Sequence, residues 1–207
     1  MITIGFIRHG TTEWNLLGRM QGRTDIPLAA AGREQAAMLG KRLAAEKWDG
    51  IVSSHLSRAA ETAEIIARIS GIPLWGSDPR LQERGFGRLE GTTLCERIAA
   101  WGEQWREMDH GKESLKELLA RWDHFLAEAP WTAEGGRVLI VSHGGFIEPV
   151  LAHRCHVALE KHLDNASLSV LSFDSSDWSC SLLNCTKHLE NAERITDSEI
   201  SESASRP

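Results

Sequence analysis

The sequence predicts an α/β fold of three layers, with helices on both sides of a mainly parallel, mixed central sheet. Three observations carry that prediction. Apolar runs of strand length alternate with stretches of helical periodicity. Two of the runs, 2–7 and 138–142, are almost uninterrupted apolar, as strands buried on both faces are. A late pair, 168–173 and 178–183, is joined by a short polar turn at 174–177, which makes part of the sheet antiparallel.

Taken in order, the first strand ends abruptly in Arg8, His9 and Gly10, and a polar loop follows through Gln21, Gly22 and Arg23. An amphipathic helix is expected over 32–47, on Ala36, Met38, Leu39 and Leu43. Its entry is weak: Ala29, Ala30 and Ala31 stand where a Ser, Thr or Asp cap is worth roughly 1 kcal/mol. A second strand, 49–53, leads to a helix over 56–69 that buries Ala59, Thr62, Ala63, Ile66 and Ile69, carries Arg58 in its first turn and closes at Gly71. A third strand is expected at 72–75, then a glycine-punctuated loop over 81–87 that contains Glu83.

Two capping boxes mark the next helices. Thr93 with Glu96 starts one expected to end near Gly111, and Ser114 with Glu117 starts another whose core stripe is Leu115, Leu118, Leu119, Trp122 and Leu126. The strand 138–142 ends in His143, Gly144 and Gly145. With Phe146 as its cap, the following helix holds Pro149 in its first turn, where no helical hydrogen bond is lost. Residues 1–189 read as one domain; from Glu190 the chain is acidic and serine-rich, and a disordered tail is expected.

Composition is that of an ordinary globular chain, with 42% hydrophobic and 25% charged residues among 207. A net charge of −6 argues against nucleic-acid and anionic-membrane partners, which want a basic surface. The four cysteines are scattered, so they read as reduced thiols, and Cys180 and Cys185 fall on opposite strand faces. No apolar run is long enough for a signal peptide or membrane span, so the cytoplasm is the expected location. His153, Cys155, His156 and His162 fit no ligand spacing and read as exposed side chains; no metal is expected.

In layered α/β folds, ligands sit beyond the carboxyl ends of the strands. Arg8-His9-Gly10 and His143-Gly144-Gly145 are two such ends. If they meet, with Arg58 beside them, two guanidiniums, two imidazoles and two helix N-termini converge. Arginine forks match phosphate oxygens and helix N-termini offer oriented donors, so the constellation suits a phosphate group. No glycine-rich loop with its lysine is present to cradle a nucleoside triphosphate.

Four segments in consistent order carry a family resemblance: R-H-G followed by T-x-W-N, S-S-x-L-S-R-A-x-x-T-A, L-x-E-x-x-F-G-x-L-E-G, and V-S-H-G-G. Together they resemble the histidine phosphatase superfamily, also called phosphoglycerate mutase-like, across residues 1–175. The resemblance implies that His9 is the nucleophile that forms a phosphohistidine. It implies that Arg8, Arg58 and His143 hold the phosphate oxygens, with Asn15 and the Gly144 N–H assisting; Gln21, in the loop after the first strand, is a further substrate-binding candidate. Glu83 matches the general acid that protonates the leaving alkoxide and then, as a base, activates water.

The chemistry is consistent with those roles. A histidine of pKa ~6.5 is a neutral nucleophile near pH 7, and covalent capture divides one difficult displacement into two easier ones. Arginines offset charge that develops on the equatorial oxygens. A carboxyl group facing an anionic phosphate should hold its proton to higher pH. No cofactor is called for.

Some positions depart from the family pattern: Ala29 to Ala31 at the helix entry, Leu89 where tryptophan is frequent, and Glu148-Pro149 after the H-G-G end. Trp14 and the Lys112-Glu113-Ser114 segment are further candidates for the substrate side. Only about 60 residues separate Glu83 from His143, whereas cofactor-dependent mutases of the family carry a longer insertion there. The expected activity is therefore that of a histidine acid-type phosphatase acting on a small phosphorylated substrate. The alternatives are a cofactor-dependent phosphoglycerate mutase and a non-catalytic phospholigand-binding protein; which phosphomonoester is used, and whether the chain forms a homodimer, stay open.

Overall fold

The computed structural model describes residues 1–174 and 176–190. They build one six-stranded mixed sheet in the order β3-β2-β4-β1-β5-β6. The strands are β1 (Ile2–Arg8), β2 (Gly50–Ser53), β3 (Leu74–Ser77), β4 (Arg137–Ser142), β5 (Leu168–Phe173) and β6 (Trp178–Cys185). β1, β2, β3 and β4 run parallel, while β5 pairs antiparallel with both β1 and β6. The expected α/β fold around a mainly parallel, mixed sheet holds.

The layers follow from side-chain alternation in the two central strands. Ile4 and Phe6 of β1, with Val138 and Ile140 of β4, enter one core with Trp122, Phe125, Phe146 and Val150 from helices α5 (Leu115–Glu128) and α7 (Gly144–Arg154). Ile7, Leu139 and Val141 face the other way, against Leu39, Leu43, Ala59, Ala63 and Ile66 of α2 (Ala30–Leu43) and α3 (Ser57–Ser70). Each of the larger aliphatic side chains buried this way contributes roughly 2 kcal/mol.

Several boundaries differ from expectation, each for a local reason. α4 (Leu94–Trp101) stops well before Gly111, because Gly102 takes a positive φ of 75° and returns its N–H to Ile98 O at 2.8 Å. α7 begins at Gly144 with His143 as its cap, so Pro149 is not in the first turn but in the second, where it costs the bond to the Gly145 carbonyl. α2 ends at Leu43, earlier than expected, and β3 starts at Leu74 as an exposed edge strand. A one-turn helix, α1 (Glu13–Leu16), lies where a polar loop was expected, and a second, α6 (Trp131–Glu134), precedes β4. The tail expected from Glu190 lies, from residue 191 onward, outside the described residues.

The weak entry of α2 is real: Ala29 makes no side-chain capping bond. Tertiary contacts hold it instead. Ala29 N–H donates to Thr11 O, and Gln35 Oε1 accepts from both the backbone N–H and the hydroxyl of Thr11. All four cysteines are free thiols; Cys155, expected to be exposed, is buried, and its thiol is pushed up to about 12. Among the described residues no helix is long and apolar enough to cross a membrane.

Candidate active site

The central pair of strands brings the two histidine motifs together. Arg8 is paired with Ser142 in the β1–β4 register, and His9 N–H donates to Ser142 O at 2.9 Å. Leaving adjacent parallel strands at the same level, the next residues, His9 and His143, place their ring centroids 5.2 Å apart. A cavity of about 570 Å³ opens over this end of the sheet, lined by Arg8, His9, Asn15, Gln21, Glu83 and Gly144 among others. Arg58 and His143 do not line its wall. Both are fully buried.

The His9 tautomer is fixed by geometry. Nδ1 lies 2.7 Å from the Gly10 carbonyl, which can only accept, so Nδ1 carries the proton and Nε2 keeps its lone pair. Burial, then the charges of Arg58 and Arg8, push the His9 pKa well below its ordinary value, so the ring is neutral at physiological pH. His143 is held neutral in the same way, by burial first and Arg58 next. Asn165 Nδ2 donates to the His9 carbonyl at 3.0 Å and to Asn15 Oδ1 at 3.2 Å. Asn15 Oδ1 also accepts from the Thr12 N–H and hydroxyl, which leaves the Asn15 amide NH₂ to face outward as a donor.

Unspent donors surround His9. Arg8 donates one NH to the Leu163 carbonyl, and Arg58 donates to Thr24 O at 3.0 Å and Gly22 O at 2.7 Å. Arg8 Nε, Arg58 Nε and both His143 ring nitrogens are buried with no partner among the described residues. A buried polar group without a partner costs roughly 1–3 kcal/mol, and a tetrahedral oxyanion is a ligand that would satisfy several at once. The N-terminus of α7 adds backbone N–H groups from its first turn.

Glu83 stands at the edge of this cradle, 8% exposed. Its two oxygens accept from Arg84 N–H at 2.8 Å and Gly145 N–H at 3.3 Å. Burial raises its pKa, outweighing those bonds and the charges of Arg58 and Arg8, so the proton is held more strongly even before an anion arrives. Two glycines make the approach feasible. A Cβ on Gly145 would lie 2.8 Å from Glu83 Oε1, and one on Gly144 would lie 3.4 Å from Arg8 Nε.

The motif order, the site geometry and the sheet topology all point one way, and comparison with known proteins decides it. The family model described as histidine phosphatase superfamily (branch 1) matches residues 4–186. The chain belongs to that superfamily. Among its histidine phosphatase relatives, the "Uncharacterized phosphatase PhoE" of Bacillus subtilis is 36% identical, over 91% of this chain and 97% of its own. A "Probable phosphoglycerate mutase GpmB" of Serratia proteamaculans is 35% identical, over 86% and 88% respectively. Among solved structures, a mycobacterial glucosyl-3-phosphoglycerate phosphatase complexed with VO3 superposes with a TM-score of 0.78 at 29% identity, covering 89% of this chain and 100% of that one. Bacillus stearothermophilus YhfR does so with 0.79 at 30%, covering 92% and 100%.

Not every sequence expectation about the site survives. Trp14 packs against Gly91 and does not line the cavity. Ser114 does cap α5, accepting from Glu117 N–H. His162 is exposed, as expected, and also stands at the rim of the main cavity, where it pairs with Glu148 at 3.0 Å. Among the described residues no cluster suits a metal ion. Asn165 was missed, and nothing local marks it, since it reaches the site through tertiary contacts. Arg84 and Glu148, which also line the cavity, lie beside the Glu83 and H-G-G motifs in the sequence.

Proposed function

We propose that this histidine phosphatase superfamily member is a phosphomonoesterase of the acid type, acting on a small phosphorylated metabolite. In this reading His9 Nε2 attacks phosphorus and the alkoxide leaves with the proton of Glu83. Glu83 then takes a proton from water as it attacks the phosphohistidine, which releases phosphate and returns His9 to its neutral state. Arg8, Arg58 and His143 offset charge on the transferring oxygens, with Asn15, Gln21 and the Gly144 N–H as further donors. The observation that supports it most is the pairing of a neutral, tautomer-fixed His9 with a buried carboxyl group of raised pKa across a cradle of unpartnered donors.

The test is turnover of p-nitrophenyl phosphate at mildly acidic pH, together with acid-quench detection of a labelled phosphohistidine. His9→Ala should abolish both; unchanged turnover would remove His9 as the nucleophile. The mutase reading is kept in view because relatives such as the Serratia protein carry that name. Rapid interconversion of 2- and 3-phosphoglycerate without phosphate release would favour it over hydrolysis.

A further inference from the structure

A second cavity of about 330 Å³ adjoins the first, and Met20, Arg84 and Phe86 line both. Those three side chains form the shared wall, so anything that reaches from one cavity into the other passes them. Beyond it the surface is apolar where Leu89 and Trp105 contribute, and cationic where Arg106 and Lys112 do.

The charges here are unspent. Arg84 uses Nε on the Glu113 carbonyl at 2.8 Å, and its two terminal nitrogens make no hydrogen bond or ion pair among the described residues. Arg106 lies over the Trp105 ring at 4.4 Å and Lys112 is half-buried, and neither forms an ion pair among the described residues. The acid lining the cavity is Glu113, already shared by Arg23 at 2.9 Å and Arg121 at 2.9 Å. In a chain of net charge −6, this is a local excess of positive charge around an apolar slot. Stacking on Trp105 holds the Arg106 guanidinium in place with little further loss of freedom when it binds.

We infer that the second cavity is a leaving-group subsite for a phosphomonoester whose alcohol carries, beyond an apolar spacer, a second anionic group of the carboxylate or phosphate kind. This rests on the phosphomonoesterase reading for the first cavity. The reacting phosphate occupies the cradle at His9, the spacer runs past Phe86 and Met20, and the distal anion meets Arg106 and Lys112 with Arg84 at the threshold. An anion on the carbon next to the ester cannot reach that far. The subsite therefore selects long substrates and not merely charged ones.

The probes are ω-carboxyalkyl phosphonates in a homologous series, each compared with the plain alkyl phosphonate of equal length, by calorimetry on the full chain. Phosphonates are not hydrolysed, so binding is read separately from turnover. The shortest pair should bind equally, and a preference on the order of tenfold for the carboxylated member should emerge with length. Arg106→Gln and Lys112→Gln should each lower that ratio, and the double variant should bring it close to one. Because the ratio is taken within one protein sample, a loss of folded fraction does not mimic the result. Equal affinity at every length, a preference independent of length, no binding by any member, or a ratio unchanged in the double variant would each overturn the subsite.

Phosphate release from the matching phosphate esters is followed in parallel. Binding preference without release would overturn hydrolysis and keep the subsite. Release without preference would do the reverse.

Discussion

At the scale of single residues, the site depends on how the protein sets protons and orientations. Glu83→Gln keeps the size of the side chain and removes its acid, so alkyl phosphates, which need a protonated leaving group, should lose about a hundredfold in kcat. p-Nitrophenyl phosphate should lose far less. Equal losses on both substrates would count against Glu83 as the acid. Asn165 offers a separate test, since it acts through its two acceptors, the His9 carbonyl and Asn15 Oδ1. Asn165→Asp preserves its shape and turns donors into acceptors, which pushes both partners out of line. A fall in kcat of roughly tenfold to a hundredfold is expected, with p-nitrophenyl phosphate KM changed much less than kcat if His9 orientation is what was lost. A pure stability effect would instead lower Tm and leave kcat per folded molecule intact.

At the scale of elements, close approach explains why two glycines follow each histidine-bearing strand end or face it. A Cβ on Gly10 would lie 2.4 Å from the Gly32 carbonyl, backbone against backbone, so Gly10→Ala must separate the β1 end from α2. Overpacking of that kind costs about 1–3 kcal/mol, a Tm drop of several degrees by calorimetry. Gly145→Ala presses on Glu83 Oε1 instead, and should cost kcat on alkyl phosphates more than it costs Tm. Much of this was legible beforehand. Capping boxes at Thr93 and Ser114 are local, and β1 and β4 announce themselves by apolar runs that end in charge. α1 was missed because its box closes with Asn15 where a Glu or Gln is the usual sign. The end of α4 was misplaced because Gly102 and Gly111 are equally good stops in sequence, and packing chooses between them. Asn165 could not have been found, because its partners are about 150 residues away in the chain.

At the scale of the whole molecule, the buried histidines tie activity to stability. The folded pKa values of His9 and His143 are pushed well below 6.5, by burial first and Arg58 next. As pH falls through the unfolded value, the unfolded chain takes up protons that the folded chain refuses, so folded stability is full above that pH and is lost below it. His188, pushed down to about 4 by burial, is a third such group, and three give a limiting slope of roughly 4 kcal/mol per pH unit. Glu83, with its raised pKa, works in the opposite sense, and its cost appears as pH rises above the ordinary carboxylate range. Urea titrations from neutral pH down to about pH 5, below the ordinary histidine pKa, should therefore show a falling midpoint. His143→Gln, with one refused proton fewer, should show a shallower fall, whereas an identical slope in the variant would mean that His143 titrates normally in the folded protein. Over the same range His9 stays neutral and nucleophilic while Glu83 stays protonated more readily, so kcat should hold or rise as stability declines. The acid-side limit of activity would then be set by unfolding, and it should coincide with the loss of the folded signal measured in the same buffers.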